Sequence, residues 1–151
     1  MFEIRKLKAT DKTQWLSLWQ GYLDFYQTEM PMQAIDYTWQ RLVTPDAGKA
    51  GKLTGFAVFK DDKLVAFAHI TLHEHSWTFE PCCYLIDLFV APACRKQGIA
   101  RQLFDYLYDY VKKNNYARVY WLSKEDNHTA RLLYDKIAKK TDFVQYRHDI
   151  F

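Results

Sequence analysis

No apolar run in this 151-residue chain approaches the roughly 20 residues that cross a bilayer. The sequence therefore predicts no membrane helix, and Met1-Phe2-Glu3 has none of the character of a secretory leader. Cysteine is sparse. The three present, Cys82, Cys83 and Cys94, are odd in number and make no Cys-x-x-Cys pair, which favours free thiols and a reducing cytoplasm over a disulfide framework. Charge of one sign is sparse as well. The net charge is +3 and no basic run occurs, so the dense cationic footprint of a nucleic-acid binder is missing; a small anionic ligand held at one place would suit this balance better. Repeats, linkers and low-complexity stretches are absent, and residues 1–151 read as a single domain long enough to bury a proper core.

What the chain does have is apolar and aromatic mass. Hydrophobic residues make up 49% and charged residues 26%, a globular balance that excludes disorder. Aromatics at 17% point either to an aromatic-lined cleft or to heavy core packing.

The stretch Tyr84 to Val111 organises the rest. Tyr84 to Val90 is a short run rich in β-branched and aromatic residues and predicts a buried strand. Pro92 ends it, and Arg95-Lys96-Gln97-Gly98-Ile99-Ala100 comes next as a basic turn. Ile99, Leu103, Leu107, Tyr110 and Val111 then recur at helical spacing. A strand that passes through a basic turn into a helix is an anion site in outline. The first helical N–H groups have no internal partners, the helix dipole adds positive potential, and Arg95 and Lys96 add two cations. The pattern is neither a P-loop nor the three-glycine dinucleotide turn. An ordinary strand-to-helix turn with a solvated basic rim would look the same.

In chain order, Phe2 to Lys8 alternates and predicts a strand. Asp11 can cap a helix whose apolar face is Trp15, Leu18, Trp19, Tyr22, Leu23 and Tyr26. Pro31 separates this from a second helix over about Gln33 to Val43, and 44–55 reads as a loop. Phe56 to Phe59 and Leu64 to Leu72 are strands joined at Asp61-Asp62. After the long helix, which ends near Asn114-Asn115, come a strand at Arg118 to Leu122, a helix at Asn127 to Ile137, and an alternating closing strand at Phe143 to Asp149. The order β-α-α-β-β-β-α-β-α-β predicts an α/β fold, a mixed sheet with helices on both faces.

Two further groups stand out. Asn127, Ala130 and Tyr134 lie along one helical face. Asn127 can cap or bind an amide, and Tyr134 offers a hydroxyl; a core face and an N-cap explain the same residues. His69, His73 and His75 share strand parity, and His73-x-His75 could seat a metal. No cysteine or further histidine stands at a suitable spacing, and a polar strand face explains them as well, so no metal is expected.

The basic turn after Asp87-Leu88-Phe89-Val90, together with the later Asn127-His128-Thr129-Ala130-Arg131-Leu132-Leu133-Tyr134, resembles the GCN5-related N-acetyltransferase (GNAT) superfamily along essentially the whole chain. Val119-Tyr120-Trp121, Tyr134 and Tyr146-Arg147 resemble its histone- and polyamine-acetylating branch and bacterial small-amine relatives. Ala100 stands where many members carry glycine, and Ala138-Lys139-Lys140-Thr141-Asp142-Phe143 where a Gly-Phe is usual.

The resemblance implies a mostly antiparallel twisted sheet and acetyl-CoA as cofactor. Leu88, Phe89 and Val90 would run along the pantetheine arm, and Arg95, Lys96, Gln97, Gly98, Ile99 and Ala100 would hold the pyrophosphate. Asn127 would contact the pantetheine, and Tyr134 would face the thioester sulfur. The implied reaction is transfer of an acetyl group to a primary amine (polyamine, lysine, amino acid or aminosugar) by direct attack, with a strand N–H stabilising the oxyanion and Tyr134 as general acid. Asp87 is the first candidate base and Glu29 the second, although both also read as supporting or surface carboxylates. Tyr22, Phe25, Tyr26 and Trp39 lie where acceptors would enter, with Tyr22 and Trp39 equally readable as core. Glu29, Asp36, Glu80 and Asp87 would favour a cationic amine. The aromatic C-terminal strand offers an edge for a homodimer. The alternatives are a catalytically silent CoA-binding module and a nucleic-acid-binding domain resting on aromatics and mild basicity.

Overall fold

The computed structural model describes residues 2–151. Contacts divide the chain into two compact units, one ending at Trp121 and the other Leu122–Phe151.

The first unit is a sheet flanked by helices. Strand β1 is Phe2–Lys6, followed by helices α1 (Lys12–Phe25) and α2 (Met32–Val43), strands β2 (Leu53–Lys60), β3 (Lys63–His73) and β4 (Cys82–Val90), helix α3 (Ile99–Lys113) and strand β5 (Arg118–Tyr120). The sheet order is β1-β2-β3-β4-β5. Neighbours run antiparallel except β4 and β5, which are parallel. This is the mostly antiparallel mixed sheet expected from the element order. Strand β2 begins at Leu53, three residues before the expected start, because Leu53 to Gly55 pair with His69 to Thr71; Gly55 hid that pairing by looking like loop.

Strands β2 and β3 show no clean alternation because both faces are covered. Ala57, Phe59, Leu64, Phe67 and Phe89 pack with Trp15, Trp19, Leu23, Ile35, Trp39 and Leu42 of α1 and α2. On the opposite face Phe56 meets the rings of Tyr106 and Tyr110 of α3, whose Ile99, Leu103, Phe104, Leu107 and Val111 are buried. Asp11 stands at the N-cap of α1 but makes no side-chain cap. Its carboxylate instead accepts the Lys8 N–H at 2.7 Å and the Arg5 guanidinium at 2.8 and 3.1 Å. Arg5 first, and the Lys8 N–H next, hold that carboxyl below its usual range.

Two irregularities in β4 set which way its side chains face and which of its edges is left unpaired. Opposite β3, His69 pairs with Asp87 and Ile70 pairs with Leu85, so Ile86 is an extra, bulged residue. A bulge breaks the two-residue alternation and re-aims the side chains beside it. It turns Asp87 and Phe89 to the α1 side with His69 and Phe67, while Tyr84, three residues earlier, pairs with Thr71. On its other edge, β4 pairs with β5 through Cys82, Cys83 and Tyr84 alone. From Leu85 to Val90 that edge of β4 has no strand partner among the described residues.

The second unit contains helix α4 (His128–Ile137). The expected closing strand at Phe143 to Asp149 is a correction: 143–151 has no regular structure. Alternation supplies two faces but no partner, and a strand exists through its pairing. Phe143, Val144, Tyr146, Ile150 and Phe151 are exposed.

Candidate functional site

The basic turn has the geometry of an anion cradle. Lys96 and Gly98 both take left-handed backbone, with φ of 63° and 78°, a sequence of conformations that turns successive N–H groups to one side. Gly98 occupies the N-cap of α3 with no side chain to bond the helix start. The first helical bond runs from the Gln102 N–H to the Gly98 carbonyl at 3.0 Å. The N–H groups of Ile99, Ala100 and Arg101 are therefore open to a ligand, at the positive end of the helix dipole. Lys60 donates to the Gln97 amide oxygen at 3.0 Å, which pins the turn to the end of β2.

Arg95 is held differently from its neighbours. Its Nε donates to the Val90 carbonyl at 3.2 Å, and its guanidinium carbon lies 5.7 Å from the Phe25 ring centre and 5.4 Å from that of Phe89. It ties the turn to α1 and to the end of β4. The free edge of β4 over Leu88, Phe89 and Val90 lies directly before it in the chain, so an extended amide-bearing arm and a pyrophosphate could be held in succession. These features fit a CoA molecule.

The acid–base groups converge on Asp87. The Tyr22 hydroxyl donates to Oδ1 at 2.6 Å, and His69 Nδ1 lies 2.9 Å from Oδ2. Behind it, Trp15 Nε1 donates to His69 Nε2 at 3.1 Å. Phe67 stacks on His69 at 4.6 Å and 19°, and Trp19 stacks on Tyr22 at 5.0 Å. The Asp87 side chain is 15% exposed and that of His69 is 1%. Burial first, then the Asp87 charge, pushes the Tyr22 phenol far above its usual value. The same two causes, weaker, raise Tyr26 and Tyr84.

The residues expected on the acceptor side separate into groups. Tyr22 and Tyr26 contact each other edge-on at 4.9 Å, Tyr26 meets Phe25 at 5.1 Å, and Tyr22 meets Phe89 at 5.7 Å. These aromatics flank Asp87 and Arg95. Trp39 lies in the core, 4.9 Å from Trp15. Glu29 lines a shallow cleft of about 350 Å³ with Gln20, Leu23, Asp24, Thr28, Met30 and Ile35, a lining that excludes Asp87. Glu80 sits in the β3–β4 loop, where its carbonyl accepts the Thr78 hydroxyl, and Asp36 pairs with Lys12 at 2.9 Å. His73 bonds the Tyr120 hydroxyl and the Glu74 carbonyl, and His75 Nδ1 accepts the Trp77 N–H. Among the described residues no third ligand joins them.

In the second unit, Asn127 is the N-cap of α4 and its carbonyl accepts the Arg131 N–H, but its side chain makes no cap bond. Tyr134 lies two turns along and is half-buried.

Sequence spacing missed Trp15 and His69 as partners of Asp87. They stand 54 and 18 positions from their partners in that chain of bonds, and β-register alone brings them together. One signal was present: His69 interrupts an otherwise apolar strand, and a histidine buried in such a run needs partners on both ring nitrogens.

The model of the acetyltransferase (GNAT) family matches residues 14–138. The chain is 32% identical over 148 residues to the D-amino-acid N-acetyltransferase HPA3 of Saccharomyces cerevisiae, covering 97% of this chain and 89% of that enzyme. Among solved structures it resembles the ribosomal-protein-alanine N-acetyltransferase of Brucella melitensis biovar Abortus 2308, with a TM-score of 0.79 and 20% identity over 99% of this chain and 100% of that one. It also resembles AAC(6')-Iy in complex with a CoA-linked bisubstrate analogue, with a TM-score of 0.79 and 18% identity over 99% and 98% of the two chains.

Proposed function

The chain belongs to the GNAT acetyltransferase family and is an acetyl-CoA-dependent N-acetyltransferase, and from that premise we propose that it acetylates a small primary amine by direct attack, with Asp87 as base. The observation that carries this is the Asp87 carboxylate, largely sheltered among aromatics at the bulge of β4, beside a strand edge and a turn that fit CoA. D-amino acids come first among acceptors because the yeast relative carries that name; aminosugars and polyamines are the other classes with a suitable nitrogen.

The cofactor supplies an activated thioester. The chain's own residues do the rest. The left-handed turn at Lys96 and Gly98 and the open N–H groups of Ile99, Ala100 and Arg101 bind phosphate oxygens. The free edge of β4 from Leu88 to Val90 binds amides, as does the Asn127 side chain, and an N–H on that edge donates to the carbonyl oxygen as it gains charge. An alkyl ammonium with a pKa near ~10.4 must lose a proton, which costs about 4–5 kcal/mol at pH 7. Asp87 accepts that proton, and the aromatic wall of Tyr22, Phe25 and Tyr26 lowers the cost by desolvating the cation. Tyr134 gives its proton to the departing sulfur. Glu29 attracts cationic acceptors from its cleft between α1 and α2.

The whole chain acts as one catalytic domain in this proposal. The exposed apolar residues of 143–151 pair with a second copy to make a dimer, and light scattering that gives a monomer mass would remove that part. No helix among the described residues is long and apolar enough to cross a membrane; the three free cysteines support a cytoplasmic setting. The central test is release of free CoA from acetyl-CoA with D-lysine, D-alanine, L-lysine, spermidine and sisomicin. Turnover of at least one is expected. If acetyl-CoA raises the melting temperature and none of these amines is consumed, the small-amine proposal fails.

A further inference from the structure

Asp87 does not stand alone, and the bonds behind it have only one consistent arrangement of protons. An indole N–H is a donor and nothing else. Trp15 Nε1 lies 3.1 Å from His69 Nε2, so that ring nitrogen accepts and carries no proton. The ring proton is then on Nδ1, directed at Asp87 Oδ2 at 2.9 Å. The contact is a hydrogen bond from a neutral imidazole to a carboxylate, although by distance alone it would pass for an ion pair. On its other oxygen Asp87 accepts the Tyr22 hydroxyl at 2.6 Å. The Tyr22 oxygen still has lone pairs to offer, and its side chain is half-buried rather than sealed.

This arrangement resolves a conflict. A carboxylate needs firm anchoring to be aimed, but a cation beside it would lower its affinity for a proton. A protonated His69 would do just that. The Trp15 indole excludes the second ring proton, so Asp87 is anchored on both oxygens with no positive charge against it. The ionisable groups facing the pair are Tyr22 and Tyr26 from α1 and Tyr84 from β4. Gly55 lies opposite His69 on β2 and Trp39 of α2 lies against Trp15, and neither ionises.

We infer that Trp15 and His69 are positioning residues that hold Asp87 as an uncompensated carboxylate, and that Tyr22 is a catalytic residue passing the acceptor's proton to Asp87 Oδ1. This rests on the proposal that Asp87 is the base of an acetyl transfer. An ammonium N–H directed at the Tyr22 oxygen breaks as that oxygen takes its proton, and the phenol O–H breaks as Asp87 Oδ1 takes the other. The products are a neutral amine, an unchanged phenol and a neutral carboxylic acid. The His69 proton does not move. The two transfers are concerted, because burial beside Asp87 disfavours a free phenolate.

The first test uses the unmodified chain labelled with ¹⁵N-histidine. One histidine is expected to show a protonated Nδ1 and an unprotonated Nε2 at pH 7; an Nε2-protonated or cationic His69 at that pH overturns the inference. The second is the pH profile of kcat/KM for Trp15→Phe, with acetyl-CoA and whichever of the five amines turns over fastest. Loss of the indole donor lets Nε2 take up a proton, so a new acid limb is expected between pH 5 and 8, where histidine ordinarily titrates. At pH 9 the rate is expected within about threefold of the parent. A role in packing alone would lower the rate by one factor at every pH, and that result overturns the inference. His69→Asn, which keeps an N–H near Nδ1, is expected to recover at least half the activity that His69→Leu loses; equal losses count against the positioning role. Tyr22→Phe is expected to lower kcat roughly tenfold or more with little change in the KM for acetyl-CoA, and an unchanged kcat removes the relay. Full activity in Asp87→Asn would instead sink the underlying choice of base.

Discussion

At the turn from Arg95 to Ala100 nearly every feature comes from neighbours in sequence, whereas Asp87 takes each partner from a different element. The turn is exposed, its left-handed residues are two apart, and the helix after it orders its N–H groups. Asp87 is on β4, its hydroxyl donor on α1, its imidazole on β3 and the indole behind that on α1 again. A ligand cradle can be local because backbone N–H groups are available wherever a helix begins. The proposed base, Asp87, is not local in this sense. It needs desolvation and fixed partners, and both come from packing.

Variants that strike one region and spare the other would sharpen this contrast. Asp87→Asn keeps the size but cannot take the acceptor's proton, and its amide NH2 can no longer accept from one of the two donors. Its kcat is expected to fall at least 100-fold with acetyl-CoA affinity within about twofold by calorimetry. A parallel loss of affinity would mean that the two regions are not separable. Tyr134→Phe is expected to lower kcat about 100-fold, at the low end for an acid assisting a good leaving group, again with cofactor binding preserved; wild-type turnover would remove it from that role.

Gly98→Ala should do the reverse. Nothing lies within 4 Å of the added methyl, so its effect is the strain of left-handed backbone at φ 78°, about 1–2 kcal/mol. CoA affinity is expected to weaken roughly tenfold, while kcat at saturation holds. A falling kcat with unchanged affinity would contradict the assignment of the turn to binding.

The smallest effect on turnover is expected at Asp11, outside both regions, where the readout is stability. Asp11→Asn breaks a charged, largely buried contact with Arg5 and should cost about 2 kcal/mol at pH 7 in urea unfolding. Because the folded-state carboxyl lies below its ordinary value, its contribution is complete above the unfolded value near ~3.9 and is lost as pH falls through the folded one. The gap between parent and variant should therefore begin to narrow below about pH 4 and go on narrowing as pH falls. A gap that stays constant on acidification below about pH 4 would show that charge is not its source.

The closing segment teaches the limit of pattern. Phe143 to Asp149 alternates as well as β1 does, yet β1 has the β2 edge from Phe56 to Lys60 and 143–149 has no regular structure. The β2 start failed in the opposite direction, because Gly55 looked like loop while its neighbours were paired. In both cases the missing quantity was the partner strand, which lies far away in sequence.

Residue order alone determined the α/β class, the strand–turn–helix at Tyr84 to Val111 and the open N–H groups at its bend, because helical and strand periods, glycine φ preferences and helix-end polarity act within a few residues. Tertiary structure decided that Ile86 bulges, that His69 meets Asp87, and that Trp15 reaches the far ring nitrogen of that histidine. Those contacts depend on the register between strands and on the packing of α1 over the sheet. Such long-range geometry leaves no periodic trace in the chain, and it decides which carboxylate is anchored without a compensating charge.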